Sequence, residues 1–282
     1  MPRSVDVIVP VKDDPRVADC VRALLAQDHP ADLVTIYVAD NGSAAPPRHL
    51  ESLSPRVVVL EEPRPGSYAA RNAALRTADG DVVAFTDSDC LPDPSWLSEA
   101  VRALDSGVDV VAGHVEVYPR DARRPHPVEA FEMLNAFRQD RSAAQGWAVT
   151  ANVVVPRTVL DEVGEFNADL PSGGDAEWCH RAVAAGHPPV YVPSAVVRHP
   201  ARGSYTEAWT KLRRVADGRR RRVALGENPP GGLSVRSFTP PLGSAARAVR
   251  TAKLRTPRAK AAYVVGAFWM TYARVGAALH RG

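Results

Sequence analysis

With 282 residues, 45% of them hydrophobic and 24% charged, the chain has a globular balance and room for one large α/β domain, alone or with an appendage. Its three cysteines (Cys20, Cys90 and Cys179) are few, odd in number and far apart, which speaks against a disulfide framework or a zinc cluster. The net charge of +3 conceals an acidic body, with 18 Lys and Arg against 29 Asp and Glu over residues 1–200, and a basic tail, with 17 against 3 over residues 201–282. Such a tail suits an anionic partner: lipid head groups, nucleic acid or an acidic acceptor. Few aromatics are interleaved with its arginines to stack on bases.

Met1-Pro2-Arg3 leads straight into a strand-like run, so the expectation is a cytoplasmic chain without a leader. Val5 to Val11 is apolar on both faces, as in a central strand covered by helices. After Lys12-Asp13-Asp14-Pro15, residues Val17, Cys20, Val21, Leu24 and Leu25 recur at helical spacing to about Gln27. Leu33 to Ala39 predicts a second strand ending in Asp40-Asn41-Gly42-Ser43, and Val57 to Leu60 a third. Pro65-Gly66-Ser67 opens a helix through Arg71-Asn72. Asp79-Gly80 then turns into a fourth strand that runs out at Thr86-Asp87-Ser88-Asp89-Cys90. Pro92 and Pro94, which have no N–H to donate, are expected to stop the ladder there. The alternation predicts a right-handed parallel sheet wound with helices.

Ligands of such sheets bind beyond the carboxyl ends of the strands, and Asp13, Asp40, Asp87 and Asp89 all fall there. Each alone reads better as a turn residue or helix cap, and it is their agreement on one edge of one sheet that points to a ligand. Two carboxylates one residue apart at the exit of a buried strand are costly without a cation. Mg²⁺, which binds through one or two carboxylates plus phosphate oxygens, would suit them. No Gly-x-Gly-x-x-Gly follows the first strand and no Gly-Lys-Ser/Thr phosphate loop occurs, which weighs against a dinucleotide dehydrogenase and a P-loop NTPase.

Val7-Ile8-Val9-Pro10, Val38 to Ser43, Gly66 through Ala70-Arg71-Asn72, and Phe85-Thr86-Asp87-Ser88-Asp89 stand in the order and spacing of the GT-A nucleotide-sugar glycosyltransferases. More narrowly, residues 5 to about 117 resemble the inverting glycosyltransferase family 2. The resemblance implies an α/β, Rossmann-like GT-A fold: a mostly parallel central sheet flanked by helices, here with a helical C-terminal extension. It also implies a nucleotide site drawn from Pro10, Asp13, Asp40, Gly42, Arg71, Asp87 and Ser88. Asp40 would accept hydrogen bonds from the base, typically uracil, and Pro10 would line the base pocket. Arg71 would brace the base or the aspartate motif, and Asp87 would meet ribose or metal. Asp89 would hold a divalent cation, Mn²⁺ or Mg²⁺, on the diphosphate, offsetting the charge that develops on the leaving group. The plainer reading of Arg71 is a surface arginine paired with Asp79 or Asp87.

Further along, Val108 to Tyr118 predicts a strand, residues 119–127 a loop, Val128 to Phe137 a helix and Trp147 to Val155 another strand. Asn152 on the last reads either as a ligand of a sugar hydroxyl or as a satisfied strand end. Gly164-Glu165-Phe166-Asn167 precedes Ser172-Gly173-Gly174-Asp175-Ala176-Glu177-Trp178, and from Asp175 a helical pattern runs to Gly186. In family 2 the corresponding segment, often Gly-Glu-Asp ahead of a helix, supplies the catalytic base. The resemblance therefore implies Asp175 as base and Glu177 at the second acidic position, with Gly174 where glutamate is common and Glu177 as a stand-in. Trp147, Asn152, Gly173, Gly174, Glu177 and Trp178 make up the expected acceptor or sugar contacts. A plain N-cap is the rival reading of Asp175, and a helix N-terminus would weaken it as a base by favouring its charged form.

Val190 to Val197 predicts a last strand followed by Arg198-His199-Pro200, where related enzymes can carry a metal-binding histidine; His199 is expected as a ligand or as a structural residue. Tyr205 to Leu225 is a helix candidate, Gly226 to Gly232 a linker, and Ala259 to Leu279 a final helix too short and too charged to span a membrane. That helix is expected to pack on the enzyme or make a homodimer in preference to lying on a membrane. The domain expectation is 1–203 for catalysis, split at 117 into donor and acceptor halves, and 204–282 for the extension. The functional expectation is metal-assisted, inverting transfer from a nucleotide sugar to a hydroxyl of a glycan, natural product or peptide. Its rivals are a polyprenyl-phosphate acceptor with the basic tail on the inner face of the membrane, a nucleotidyltransferase, and a catalytically silent binder.

Overall fold

The computed structural model describes residues 2–229 and 232–280; Pro230 and Gly231 of the expected linker lie outside the described residues. The strands are β1 (Val5–Val11), β2 (Val34–Asp40), β3 (Val57–Glu61), β4 (Val82–Phe85), β5 (Leu91–Pro92), β6 (Val110–Tyr118), β7 (Val153–Pro156) and β8 (Pro189–Pro200). The helices are α1 (Val17–Leu25), α2 (Ser67–Leu75), α3 (Trp96–Asp105), α4 (Pro127–Asn135), α5 (Gln139–Ala143), α6 (Arg157–Val163), α7 (Gly174–Ala184), α8 (Tyr205–Ala224), α9 (Gly243–Arg250) and α10 (Pro257–Leu279).

The strands form one sheet in the order β3-β2-β1-β4-β7-β6-β8-β5. Its first half is parallel, β1 pairing with both β2 and β4, and β2 with β3. Beyond β4 the pairing turns antiparallel, at β4–β7, β6–β7 and β5–β8. Every residue of β1 is buried, as its two apolar faces required. The β1–β2 register sets Val11 beside Asp40, so both strands release their loops at one edge.

Two expectations change. The β4 ladder does stop, at Phe85, but Pro92 is itself in a strand: Leu91 and Pro92 pair with Arg198 and Val197 of β8. A two-residue strand at the sheet's edge tolerates a residue that cannot donate. The strand expected from Trp147 starts only at Val153, because Thr150–Asn152 form a 3₁₀ turn.

By its internal contacts the chain forms two units, Met1–Glu116 with Arg138–Leu170 and Gly174–His199, and Val117–Phe137 with Pro171–Gly173 and Pro200–Gly282. The core of the first gathers Ile8, Phe85, Val153, Phe166, Leu170 and Trp178. Phe166 sits among Tyr68, Phe85 and Trp178, with ring centroids 5.7, 5.3 and 5.7 Å away. Its backbone is held by Asn72 of α2, whose amide donates to the Phe166 carbonyl at 2.8 Å and accepts from its N–H at 3.0 Å.

His187 clips α6 to the start of β6, with Nδ1 2.8 Å from Asp109 and Nε2 3.1 Å from Glu162. The hydrogen bond to Asp109 and then that to Glu162 raise the imidazole above its usual range. A raised histidine stabilises the fold fully below the unfolded pKa, and that stability is lost as pH rises through the folded value. The Tm deficit of His187→Gln should therefore be largest below about pH 6 and fade in alkali. A deficit that grows with pH would contradict this.

In the second unit, α10 packs on α4 through Ala259, Tyr263, Ala267 and Met270 against Val128, Phe131 and Leu134. Gly266 makes that approach possible, since a Cβ there would collide with the Pro127 carbonyl. Glu129 caps α4, accepting from the His126 N–H at 2.7 Å and the Arg120 N–H at 3.0 Å. Among the described residues no helix is long and apolar enough to cross a membrane.

Candidate active site

The loops leaving β1 and β2 are stitched together. Asp13, at φ +50°, donates its N–H to Ser43 Oγ and accepts from the Ala44 N–H, both at 2.8 Å. Asp13 therefore shapes the rim. Asp40 is only 1% exposed; its Oδ2 accepts from the Ser43 N–H at 3.2 Å, while its buried Oδ1 has no partner. An orphaned buried acceptor is costly, and a ligand N–H would remove the cost. Asn41 donates to the Glu62 and Arg64 carbonyls and accepts from the Gly66 N–H at 2.7 Å, fixing the entry to α2. Gly42 (φ +77°) makes the exposed turn between, and Pro10 is buried in β1.

Arg71 lies on the buried face of α2, with Nη2 2.5 Å from Asp87 Oδ1. It does pair with Asp87, but as an internal cation and not a surface one. Its guanidinium carbon is 5.8 Å from the centre of the Tyr68 ring. Asp89 faces an imidazole and a guanidinium: Oδ1 is 3.5 Å from His199 Nε2 and Oδ2 is 3.4 Å from an Arg16 nitrogen. Arg16 also pairs with Asp14 at 2.8 Å, and Ser88 Oγ donates to Asp14 at 3.4 Å. Burial raises the Asp89 carboxyl above the usual range; His199 and Arg16 oppose the shift, and Asp87 and Asp14 add to it. Burial would raise Asp14 too, but its hydrogen bonds with Arg16 hold it below the usual range.

Asp89, Cys90 and His199 offer ligand atoms within 4.8 Å of one another. The Cys90 thiol is pushed up by burial and by Asp87 and Asp89, so it stays protonated and is a poor donor to a hard cation. Carboxylate oxygen with imidazole nitrogen suits Mn²⁺ better than Mg²⁺, which prefers oxygen alone. The carboxylate and imidazole of this set fit a divalent cation.

Asp175 stands in the first turn of α7, its Oδ1 accepting from the Ala176 N–H at 2.9 Å and the Tyr68 hydroxyl at 3.3 Å. Glu177 is held by Arg181 one turn along, at 2.7 Å. The remaining candidates are placed as follows. Asn152 is fully buried: it accepts from the Trp96 indole at 2.8 Å and donates to the His114 and Ala195 carbonyls at 2.9 Å. That is the strand-end reading, with no atom left exposed for a sugar. Trp178 is a core residue whose indole N–H donates to the Gly164 carbonyl at 2.8 Å, so a sugar cannot stack on it. Trp147 is half-buried, its indole 3.5 Å from Gln145 Oε1. Gly173 belongs to the second unit, where Arg222 lies against it.

The structure thus joins Asp175, Tyr68, Arg71 and Asp87 in one line of contacts and gathers Asp89, His199, Arg16 and Asp14 in a second cluster. Sequence reading missed Tyr68 and Arg16. Tyr68 looks like an ordinary apolar-face residue of α2, whereas Arg16 had a signal in the Asp-Asp-Pro-Arg run at the exit of β1.

The family model described as "Glycosyl transferase family 2" matches residues 6–162. The glycosyltransferase AglE of Haloferax volcanii is 32% identical over 222 residues, covering 76% of this chain and 72% of that protein. A pre-mycofactocin glycosyltransferase of Mycobacterium tuberculosis is 29% identical over 209 residues, and the match spans 70% of this chain but only 43% of that relative. Among solved structures, the mannosyltransferase PcManGT from Pyrobaculum calidifontis, in complex with GDP-Man and Mn²⁺, superposes with a TM-score of 0.62 at 21% identity over 95% of this chain and 86% of its own. S. aureus TarS 1–349, in complex with UDP-GlcNAc, gives 0.56 at 19% identity over 76% and 65%. The fold is that of the GT-A glycosyltransferases. With the family match covering more than half its length, this enzyme belongs to glycosyltransferase family 2.

Proposed function

We propose that the enzyme transfers a sugar from a nucleoside diphosphate, a UDP-sugar, to an acceptor hydroxyl by a single inverting displacement. The observation that carries this reading is the line of contacts from Asp175 through Tyr68 and Arg71 to Asp87, which ties Asp175 of α7 and the aspartate motif beyond β4 to one helix, α2. The acceptor oxygen bonds to the anomeric carbon as the bond from that carbon to the diphosphate oxygen breaks, and the acceptor proton passes to Asp175. Attack opposite the leaving group inverts the configuration. Asp89 and His199 would hold a divalent cation, Mn²⁺ in preference to Mg²⁺, which when bound neutralises diphosphate charge. The orphaned Asp40 Oδ1 would accept the N3–H of uracil.

A thermal-shift series with UDP, GDP and CDP, each with Mn²⁺ or with EDTA, tests donor and cation together. UDP with Mn²⁺ should stabilise by roughly 2–3 kcal/mol at a hundred times its Kd. CDP should do little, because cytosine has no N3–H. A larger shift with GDP would overturn the base assignment, and no shift with any nucleotide would overturn the donor site.

One observation favours a second reading of the acceptor. Leu225, Phe238, Leu242 and Val235 are exposed, the last at 85%, on a unit that also exposes Arg213, Arg214 and Arg221. That combination suits an anionic membrane surface and a polyprenyl phosphate acceptor, already an oxyanion and in no need of Asp175. Co-sedimentation with phosphatidylglycerol vesicles but not phosphatidylcholine would support it; binding to neither would exclude it.

A further inference from the structure

Tyr68 lies outside the donor and cation contacts proposed above, yet it is held by more than packing. It is 6% exposed, its ring stacked on Phe166 at 5.7 Å with Arg71 at 5.8 Å. Its hydroxyl reaches Asp175 Oδ1 across 107 residues of sequence. We infer that Tyr68 is a positioning residue, orienting the Asp175 carboxylate so that it can take the acceptor's proton. The inference rests on Asp175 being the base.

Gly174 gives independent support. A Cβ at that position would lie 2.8 Å from Cε2 of Tyr68 and 3.0 Å from Cδ2 and Cζ. The ring fills the volume that any side chain at 174 would need. With the Tyr68 ring in place, position 174 has room only for glycine. Burial, and after it the Asp175 charge, push the phenol above its usual range, so the hydroxyl keeps its proton and remains a donor. Among the titratable groups about Asp175 are Tyr68 on α2 and Cys179 on its own helix.

A positioning role has a signature that an activating one lacks. A hydrogen bond to the charged carboxylate lowers its basicity, so removing it strengthens the base. If orientation is what Tyr68 supplies, Tyr68→Phe makes Asp175 a stronger base and the enzyme a slower one. Phenylalanine keeps the ring and its stacking, so the fold should be retained.

The test uses the full chain with Mn²⁺ and UDP-N-acetylglucosamine, water serving as acceptor and UDP release as readout. The titration of the Asp175 carboxyl carbon is followed by ¹³C NMR, its signal assigned by its loss in Asp175→Asn. Tyr68→Phe should raise the titration midpoint by about one pH unit, lower kcat by about tenfold and leave the Kd for UDP within twofold. Gly174→Ala, which displaces the ring, should reproduce the fall in kcat. An unchanged midpoint and unchanged kcat in Tyr68→Phe, beside an inactive Asp175→Asn, would overturn this role alone. So would a loss of UDP affinity as large as the loss of kcat. Full turnover by Asp175→Asn would overturn the base assignment, and this role with it.

Discussion

Asp175→Asn should lower kcat for transfer to a hydroxyl acceptor by about 10²- to 10⁴-fold, the usual contribution of a positioned general base, while UDP binding with Mn²⁺ stays within twofold. The amide fills the same volume and can still accept from Tyr68 and from the Ala176 N–H, so what is removed is the capacity to take a proton. The acid limb of the pH–rate profile should vanish with it. Glu177 is no substitute, because Arg181 holds both of its oxygens, at 2.7 and 3.1 Å. Steady-state kinetics beside calorimetric UDP titration decide the matter. Retained kcat would return Asp175 to a plain role at the start of α7.

Asp89→Asn should abolish the cation dependence of donor binding. With the native enzyme, UDP affinity in Mn²⁺ should exceed that in EDTA by at least about tenfold, since a bound cation offsets charge on the diphosphate; in the variant the two titrations should coincide. The same substitution should raise Tm at neutral pH. The Asp89 carboxylate is desolvated and close enough to Asp87 and Asp14 to be repelled by them, so its charge opposes folding. A raised carboxyl pKa means that the folded state binds more protons than the unfolded state, and stability falls as pH climbs through the raised value. Asparagine removes that fall. A variant that loses both stability and cation dependence would show Asp89 to be a structural residue; one that keeps the Mn²⁺ effect would move the cation elsewhere.

The parallel half of the fold was legible because burial on both faces leaves an unambiguous mark. Val5 to Val11 and Val82 to Phe85 have no polar face to confuse the reading. The antiparallel half was less so. β5 is two residues long and contains a proline, a combination that reads as a break unless the partner strand is known. α5 and α6 are five and seven residues long, too short for a helical period to declare itself. At the site, Asp40, Asp87 and Asp89 could be picked out from their places at strand ends. His199 meets Asp89 across 110 positions of sequence, and only the β5–β8 pairing brings them together. Asn152 and Trp178 illustrate the opposite error. Both have polar groups that could face a sugar, and both spend them inside the core.

Helix α2 has a consequence for exchanging parts between relatives. Within five residues it grips three separate segments, Asp175 through Tyr68, Asp87 through Arg71 and Phe166 through Asn72. Swapping in a Gly-Glu-Asp triplet alone would fail on volume, and swapping position 68 alone would leave the carboxylate unsteered. The two sites share one volume, so chimeras should be cut with both taken from the same parent.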